Sequence, residues 1–200
     1  MEKRRAISML CALLCLAGLT PVYPAAEAKV QSRMTINGTV YAIGGGRRVG
    51  NWSGPFRLIV NRYTTPGELR ELNDALQQDG QDGLLKALSK MDAGRVQVGT
   101  GVGIKANAVI ADPWGEDGTK LTVFYERNVR FSELRYGARS QDYRIGYAEI
   151  FLDRNGKGEG TFIPAARVRL RDGNNWEVED FGVFPARLMG LRASGRVTPG

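Results

Sequence analysis

Catalysis by this chain must draw on a short menu of side chains. The 200-residue sequence holds no histidine and two cysteines, Cys11 and Cys15. Without histidine there is no Ser-His-Asp triad and no imidazole to switch charge near neutral pH. If Cys11 and Cys15 are lost on export, as argued below, thiol nucleophiles and ordinary zinc, copper or haem sites go too. No metal site and no cofactor is therefore expected. Carboxylates, lysine, tyrosine, serine and arginine remain. Two carboxylates across a cleft can hydrolyse a glycosidic bond, one as acid and the other as base or nucleophile. Glu126, Glu133, Asp142 and Glu149 lie in one β-rich half and are the catalytic candidates. Glu149 alternates with Tyr147 and Phe151, so the three share a strand face. The plainer reading pairs these acids with Arg127, Arg130, Arg139 and Arg144 at a sheet rim. Arg127, Arg130, Arg139 and Tyr143 are also the candidate ligand contacts.

Three motifs invite a sharper reading and fail it. Gly99-Thr100-Gly101-Val102-Gly103 lacks the third glycine of a dinucleotide loop, because Ile104 stands there, and no helical pattern follows. It reads as a turn or bulge. In the run from Asp153 to Glu159, oxygen-bearing side chains alternate as in a calcium loop. Lys157, however, puts an ammonium where a carboxylate belongs. Asn155-Gly156 makes a hairpin turn the better reading. Gly50-Asn51-Trp52 matches the short Gly-x-Trp element of lipocalins, ligand-carrying β-barrels, but a buried or semi-buried tryptophan without a ligand role explains it as well.

These groups must be placed by the chain behind an export signal. A basic head (Lys3, Arg4, Arg5) precedes an apolar run over residues 7–19, and Ala26-Glu27-Ala28 gives a small-x-small exit. That is the layout of a secretory signal peptide. The apolar run is too short for a membrane span, which needs ~20 residues. Cleavage is expected between Ala28 and Lys29. Residues 1–28 are then a removed signal and residues 29–200 one β-rich domain with no stable membrane span. Both cysteines leave with the signal, so no disulfide remains despite an oxidising compartment. The expected location is the periplasm or outside the cell. The whole chain carries 28 Lys and Arg against 21 Asp and Glu, a formal net charge of +7. That excess can attract a polyanion, but acids interleave with the bases and no dense basic tract appears. Nucleic-acid binding is not expected.

Hydrophobic periodicity then assigns the elements. Strands are expected near residues 33–43, 56–63, 95–99, 104–111, 119–125, 144–152, 160–170 and 176–181, with a bend at Asn37-Gly38. Turns are expected at Asp112-Pro113, Asp117-Gly118, Asn155-Gly156 and Asp172-Gly173. Thr65-Pro66-Gly67-Glu68 is a capping box with proline at the first helical position. Leu69, Leu72 and Leu76 form one helical stripe ending at Gly80, and Leu84, Leu85, Leu88 and Met91 form a second ending at Gly94. The chain is therefore mainly β, α+β by count. An antiparallel β-barrel or β-sandwich is expected, with a two-helix segment at about 65–92 capping or flanking it. In the last hairpin, alternation of Arg167, Arg169 and Arg171 against Glu177 and Glu179 demands an odd-length loop, so that charge opposes charge. The simplest such loop is Gly173-Asn174-Asn175, setting Arg169 against Glu179.

Tyr63-Thr64-Thr65-Pro66, Gly80-Gln81-Asp82, the run from Arg139 to Tyr143 and the run from Gly156 to Gly160 together resemble a family of exported bacterial proteins of unknown function. The resemblance spans about residues 63–188. It implies a bacterial, exported, single-domain protein and supplies no activity. The leading expectation is an exported, non-catalytic protein of the cell envelope that binds a partner or a small apolar or anionic ligand. A carboxylate-based hydrolase of envelope or environmental polymer is the alternative, and a polyanion-binding surface protein the third.

Overall fold

The computed structural model describes residues 33–42, 52–127, 143–171, 175–180 and 185–196. They form ten strands and one helical segment. The strands are Met34–Ala42 (β1), Trp52–Val60 (β2), Gly94–Val98 (β3), Ile104–Ala106 (β4), Ala108–Trp114 (β5), Gly118–Glu126 (β6), Ile145–Leu152 (β7), Lys157–Arg171 (β8), Asn175–Asp180 (β9) and Ala186–Ser194 (β10). All pairings are antiparallel, in the order β4-β3-β2-β1-β10-β8-β7-β6-β5, with β9 beside the far half of β8. The path nearly closes on itself, and the result is a β-barrel rather than a sandwich.

Closure follows from the chain itself. The two ends of the path, β4 and β5, are consecutive segments separated only by Asn107. Asn107 is fully buried. Its backbone N–H donates to Phe124 at 2.9 Å, and its side chain accepts from the Glu126 N–H and donates to the Leu88 carbonyl, each at 2.8 Å. One asparagine thus ties β4–β5 to β6 and to the end of the helix.

The alternation predicted from sequence fills the barrel. Ile36, Phe56, Leu58, Leu121, Ile150 and Leu188 point inward and are almost wholly buried, among other apolar side chains from β1–β3, β5–β8 and β10. Each such burial contributes about 1.5–3 kcal/mol. Phe162 stands edge-on to Phe56 and stacks on Tyr125 within this interior. These buried apolar side chains form one contiguous core cluster inside the barrel.

The helical region is one segment, Pro66–Ser89 (α1), kinked at Gly80, not two separate helices. Gly80 takes φ 62°, which only glycine adopts without strain, so the two leucine stripes continue around a bend. The capping box is present as expected: Glu68 N–H donates to the Thr65 hydroxyl at 3.3 Å, and the Glu68 carboxylate accepts the Thr65 N–H at 2.9 Å. The segment flanks the barrel and does not cap an end. Leu72, Leu76, Leu84, Leu85 and Leu88 pack on the outward side chains of β5–β8, including Ile110, Phe124, Ile145 and Val168. Gln81 fixes the second half, because its side-chain amide donates to the Val168 carbonyl and accepts the Val168 N–H. This extends the ladder of β8 where β7 has stopped at Ile145.

Other boundaries differ from the sequence reading. Asp112-Pro113 is not a turn; it pairs with Lys120 and Thr119 inside the β5–β6 hairpin, and the chain reverses at residues 115–117. Strand β2 starts earlier than expected because Gly54 and Pro55 pair with β1. Trp52 is exposed, not buried, and its ring lies over Gly54 and Gly99. The bend at Asn37-Gly38 is a β-bulge against β10. In the β8–β9 pair an odd number of residues separates Arg171 from its partner Asn175, and the register is shifted by two from the expected one: Arg169 opposes Glu177 and Arg167 opposes Glu179. Charge still opposes charge, and the Arg169 guanidinium reaches Glu179 diagonally at 3.2 Å.

Candidate functional site

The first half of α1 packs on the strands through Leu72 and Leu76, and the side chains next to that contact border a recess. This recess is a cleft of about 740 Å³, open to solvent. Its helix wall is Pro66, Leu69, Arg70 and Asn73; its sheet wall is the outer face of β5, β6 and β7. Strand alternation decides that wall. The residues between the inward-facing Leu121, Val123, Ala148 and Ile150 must face out, and these are Lys120, Thr122, Tyr147 and Glu149. Trp176 of β9 reaches in from the side. Its indole N–H donates to the Asn73 side-chain oxygen Oδ1 at 2.5 Å, and its ring stands edge-on to Phe124.

The polar centre of the cleft is Glu149. Its Oε1 accepts from the Lys120 ammonium at 2.6 Å and from the Tyr147 hydroxyl at 3.2 Å. Lys120 is also directly opposite Asp112 across the β5–β6 pair and sits 6.0 Å from the Phe151 ring centroid. Burial raises the Tyr147 phenol pKa above its usual value, and the neighbouring Glu149 adds to the effect. Tyr147 is thus a hydrogen-bond donor throughout the physiological range and not a base. The charged groups of the cleft balance, Arg70 and Lys120 against Asp112 and Glu149.

Of the four carboxylates read from sequence, the two that are described, Glu126 and Glu149, do not converge. Glu126 is exposed at the end of β6, opposite Ile145, while Glu149 is opposite Thr122. Four residues of strand separate the two positions, ~13 Å, beyond the reach of either glycosidase arrangement. Glu133 and Asp142 lie outside the described residues, as do Arg130 and Arg139. Arg127 leaves β6 with its N–H on the Arg144 carbonyl at 2.9 Å. Tyr143 is buried and donates its hydroxyl to Glu179 at 2.9 Å, tying the start of β7 to β9. Neither reaches the cleft around Glu149. The carboxylate that does accompany Glu149 is Asp112, assigned to a turn in the sequence reading. The only signal for it was its place on the outward face of an unbroken strand with Ile110 and Trp114.

The rejected motifs have structural explanations. The Asp153 carboxylate accepts the N–H groups of Asn155 and Lys157 at 2.8 and 2.9 Å and organises the β7–β8 hairpin. Those backbone donors, that of Lys157 foremost, hold its pKa below the usual carboxylate range. Residues 99–103 form the β3–β4 turn, with Gly99 at φ 71°. Among the described residues no cluster of acidic side chains has metal-binding geometry, and no helix is long and apolar enough to cross a membrane. In comparisons with known proteins, no family model matches the chain, and no curated protein or solved structure matches it.

Proposed function

We propose that this is an exported, non-catalytic binding protein whose site is the cleft between α1 and the outer sheet face, and that its ligand is small or slender and polar. The observation that carries the reading is the Lys120–Glu149–Tyr147 cluster in an open, charge-balanced cleft. A site that offers donors and acceptors in equal measure favours a ligand with both. This departs from the apolar or anionic ligand expected from sequence, because the barrel interior holds a contiguous apolar core and the cleft carries no net charge. The hydrolase alternative draws on Asp112 and Glu149. Against it, one oxygen of Glu149 is already engaged by Lys120 and Tyr147, which suits holding a ligand better than attacking one. The polyanion alternative is weakened by the acids that meet the arginines, as in Arg62–Glu68, Arg144–Asp82 and Arg169–Glu179.

The test is native mass spectrometry on protein purified from the envelope of its own cells, beside a Lys120→Met/Glu149→Gln variant prepared identically. A polar adduct present on the wild type and lost from the variant is expected. The same adduct on both proteins would remove the cleft from the argument. A starting residue of Lys29 in the same spectra would support export.

A further inference from the structure

The cleft does not end at Glu149. Two residues further along the same outward face of β7 is Phe151, which lines a second hollow of about 100 Å³ with Glu159, Thr161, Arg187 and Met189. Register joins the two. Glu149 is directly opposite Thr161, and Phe151 directly opposite Glu159 on one side and Lys120 on the other. Thr161 in turn faces Arg187 across the β8–β10 pair. Gly160 and Leu188 turn the other way or lack a side chain, so the hollow is a groove between outward residues. The track therefore runs over β6, β7, β8 and β10, three interstrand steps or ~14 Å, the last two of them beyond the helix-walled cleft.

Its chemistry is constant along that length. The second hollow again carries one acid and one base, Glu159 and Arg187. An aromatic surface stands beside the junction: Trp114, 47 % exposed, meets Phe151 with ring centroids 5.1 Å apart, and the Lys120 ammonium lies 6.0 Å from the centroid of the same Phe151 ring. Aromatic faces bind apolar C–H surfaces, while flanking carboxylates, hydroxyls and cations bind O–H groups. A zwitterion or single charged metabolite would use only one end of such a track.

Resting on the cleft as the binding site, we infer that the ligand is an unbranched neutral oligosaccharide, one unit held between α1 and Glu149 and the following units laid over Phe151, which Trp114 flanks on the β5 side, toward Arg187.

Isothermal titration with neutral cello-, xylo-, manno-, malto- and chito-oligosaccharides tests this, from disaccharide to hexasaccharide. One series is expected to bind about tenfold or more tighter as hexasaccharide than as disaccharide, a difference of ~1.4 kcal/mol. Trp114→Ala, an exposed position, with its fold checked by circular dichroism, is expected to abolish that length gain while sparing the disaccharide. Glu149→Gln is expected to weaken every length. The inference is overturned if no series binds, if affinity is independent of length, or if Trp114→Ala leaves the gain intact. Failure of every sugar together with a different polar adduct lost from the Lys120→Met/Glu149→Gln variant would remove the oligosaccharide and leave the cleft standing.

Discussion

Replacing Asn107 with alanine removes the side chain that closes the barrel seam. One backbone group loses its partner, the Glu126 N–H at the end of β6, while the Leu88 carbonyl at the end of α1 loses one of two bonds and keeps that from the Met91 N–H at 2.9 Å. An unsatisfied buried polar group costs about 1–3 kcal/mol. The Glu126 N–H is partly buried and falls at the low end, and the lost second bond to the still-paired Leu88 carbonyl adds about 1 kcal/mol. Together they cost about 2 kcal/mol, a sizeable share of the ~5–15 kcal/mol that holds a domain together. For a chain of this size each kcal/mol moves Tm by ~2–4 °C, so a fall of roughly 4–8 °C is expected. Asn107→Asp sharpens the test. It keeps the shape and the acceptor for Glu126, but sets an acidic oxygen against the Leu88 carbonyl in a water-free site. It is expected to be at least as damaging as alanine. Urea unfolding followed by circular dichroism measures both, with a shifted midpoint and an unchanged slope. A loss below about 0.5 kcal/mol for Asn107→Ala, or wild-type stability in Asn107→Asp, would refute the assignment of the seam to this side chain.

Two further outcomes follow from the same physics. Gly146 packs against the Tyr125 ring, with no room for a Cβ, so Gly146→Ala is expected to cost about 1–3 kcal/mol by overpacking; equal urea midpoints for the two proteins would contradict this. Glu68 has its pKa lowered to about 2, first by its hydrogen bond with Arg62 and then by its bonds with Thr65. Its unfolded value is near ~4.3, so its stabilisation is complete above that pH and is lost as pH falls toward about 2. The carboxylate borders solvent, so about 1 kcal/mol is expected. The Tm advantage of wild type over Glu68→Gln should be present at neutral pH and shrink to nothing in strong acid, and a gap that persists there would place the effect elsewhere.

Much of this architecture was legible in the residues because its causes are local. The capping box, the leucine stripes and the alternation of β6 and β7 each depend on a few neighbouring side chains. The odd spacing between the paired strands of the last hairpin followed from charge alternation alone, whereas its exact register was off by two, since parity fixes faces but not which residues pair. Strand β10 was missed for a related reason. Its inward residues Ala186, Leu188 and Leu191 break the two-residue period at a bulge where Gly190 takes φ 63°. Pairing with β1 and β8, which the local sequence does not encode, makes it a strand.

The site was less legible than the fold because it depends on what the helix covers. A β-barrel with an apolar core inside has its outer face left for recognition, and in this chain α1 covers only part of that face. Leu84, Leu85 and Leu88 beyond the Gly80 kink lie close on the strands, and the Gln81 clamp holds them there. Before the kink, Leu72 and Leu76 also pack on the strands, and Pro66, Leu69, Arg70 and Asn73 beside them form one wall of the cleft. That wall starts at the capping box and lies before the Gly80 kink, so two features recognised in the sequence as helix boundaries also bound the helical wall of the cleft. What no local pattern could supply is the row across the sheet, Asp112 beside Lys120 and Thr122 beside Glu149, because strand register is decided by the barrel as a whole. Four carboxylates could be picked out by type, but only Glu149 has been placed at the cleft, and its partner Asp112 lay in a dipeptide that looked like a turn.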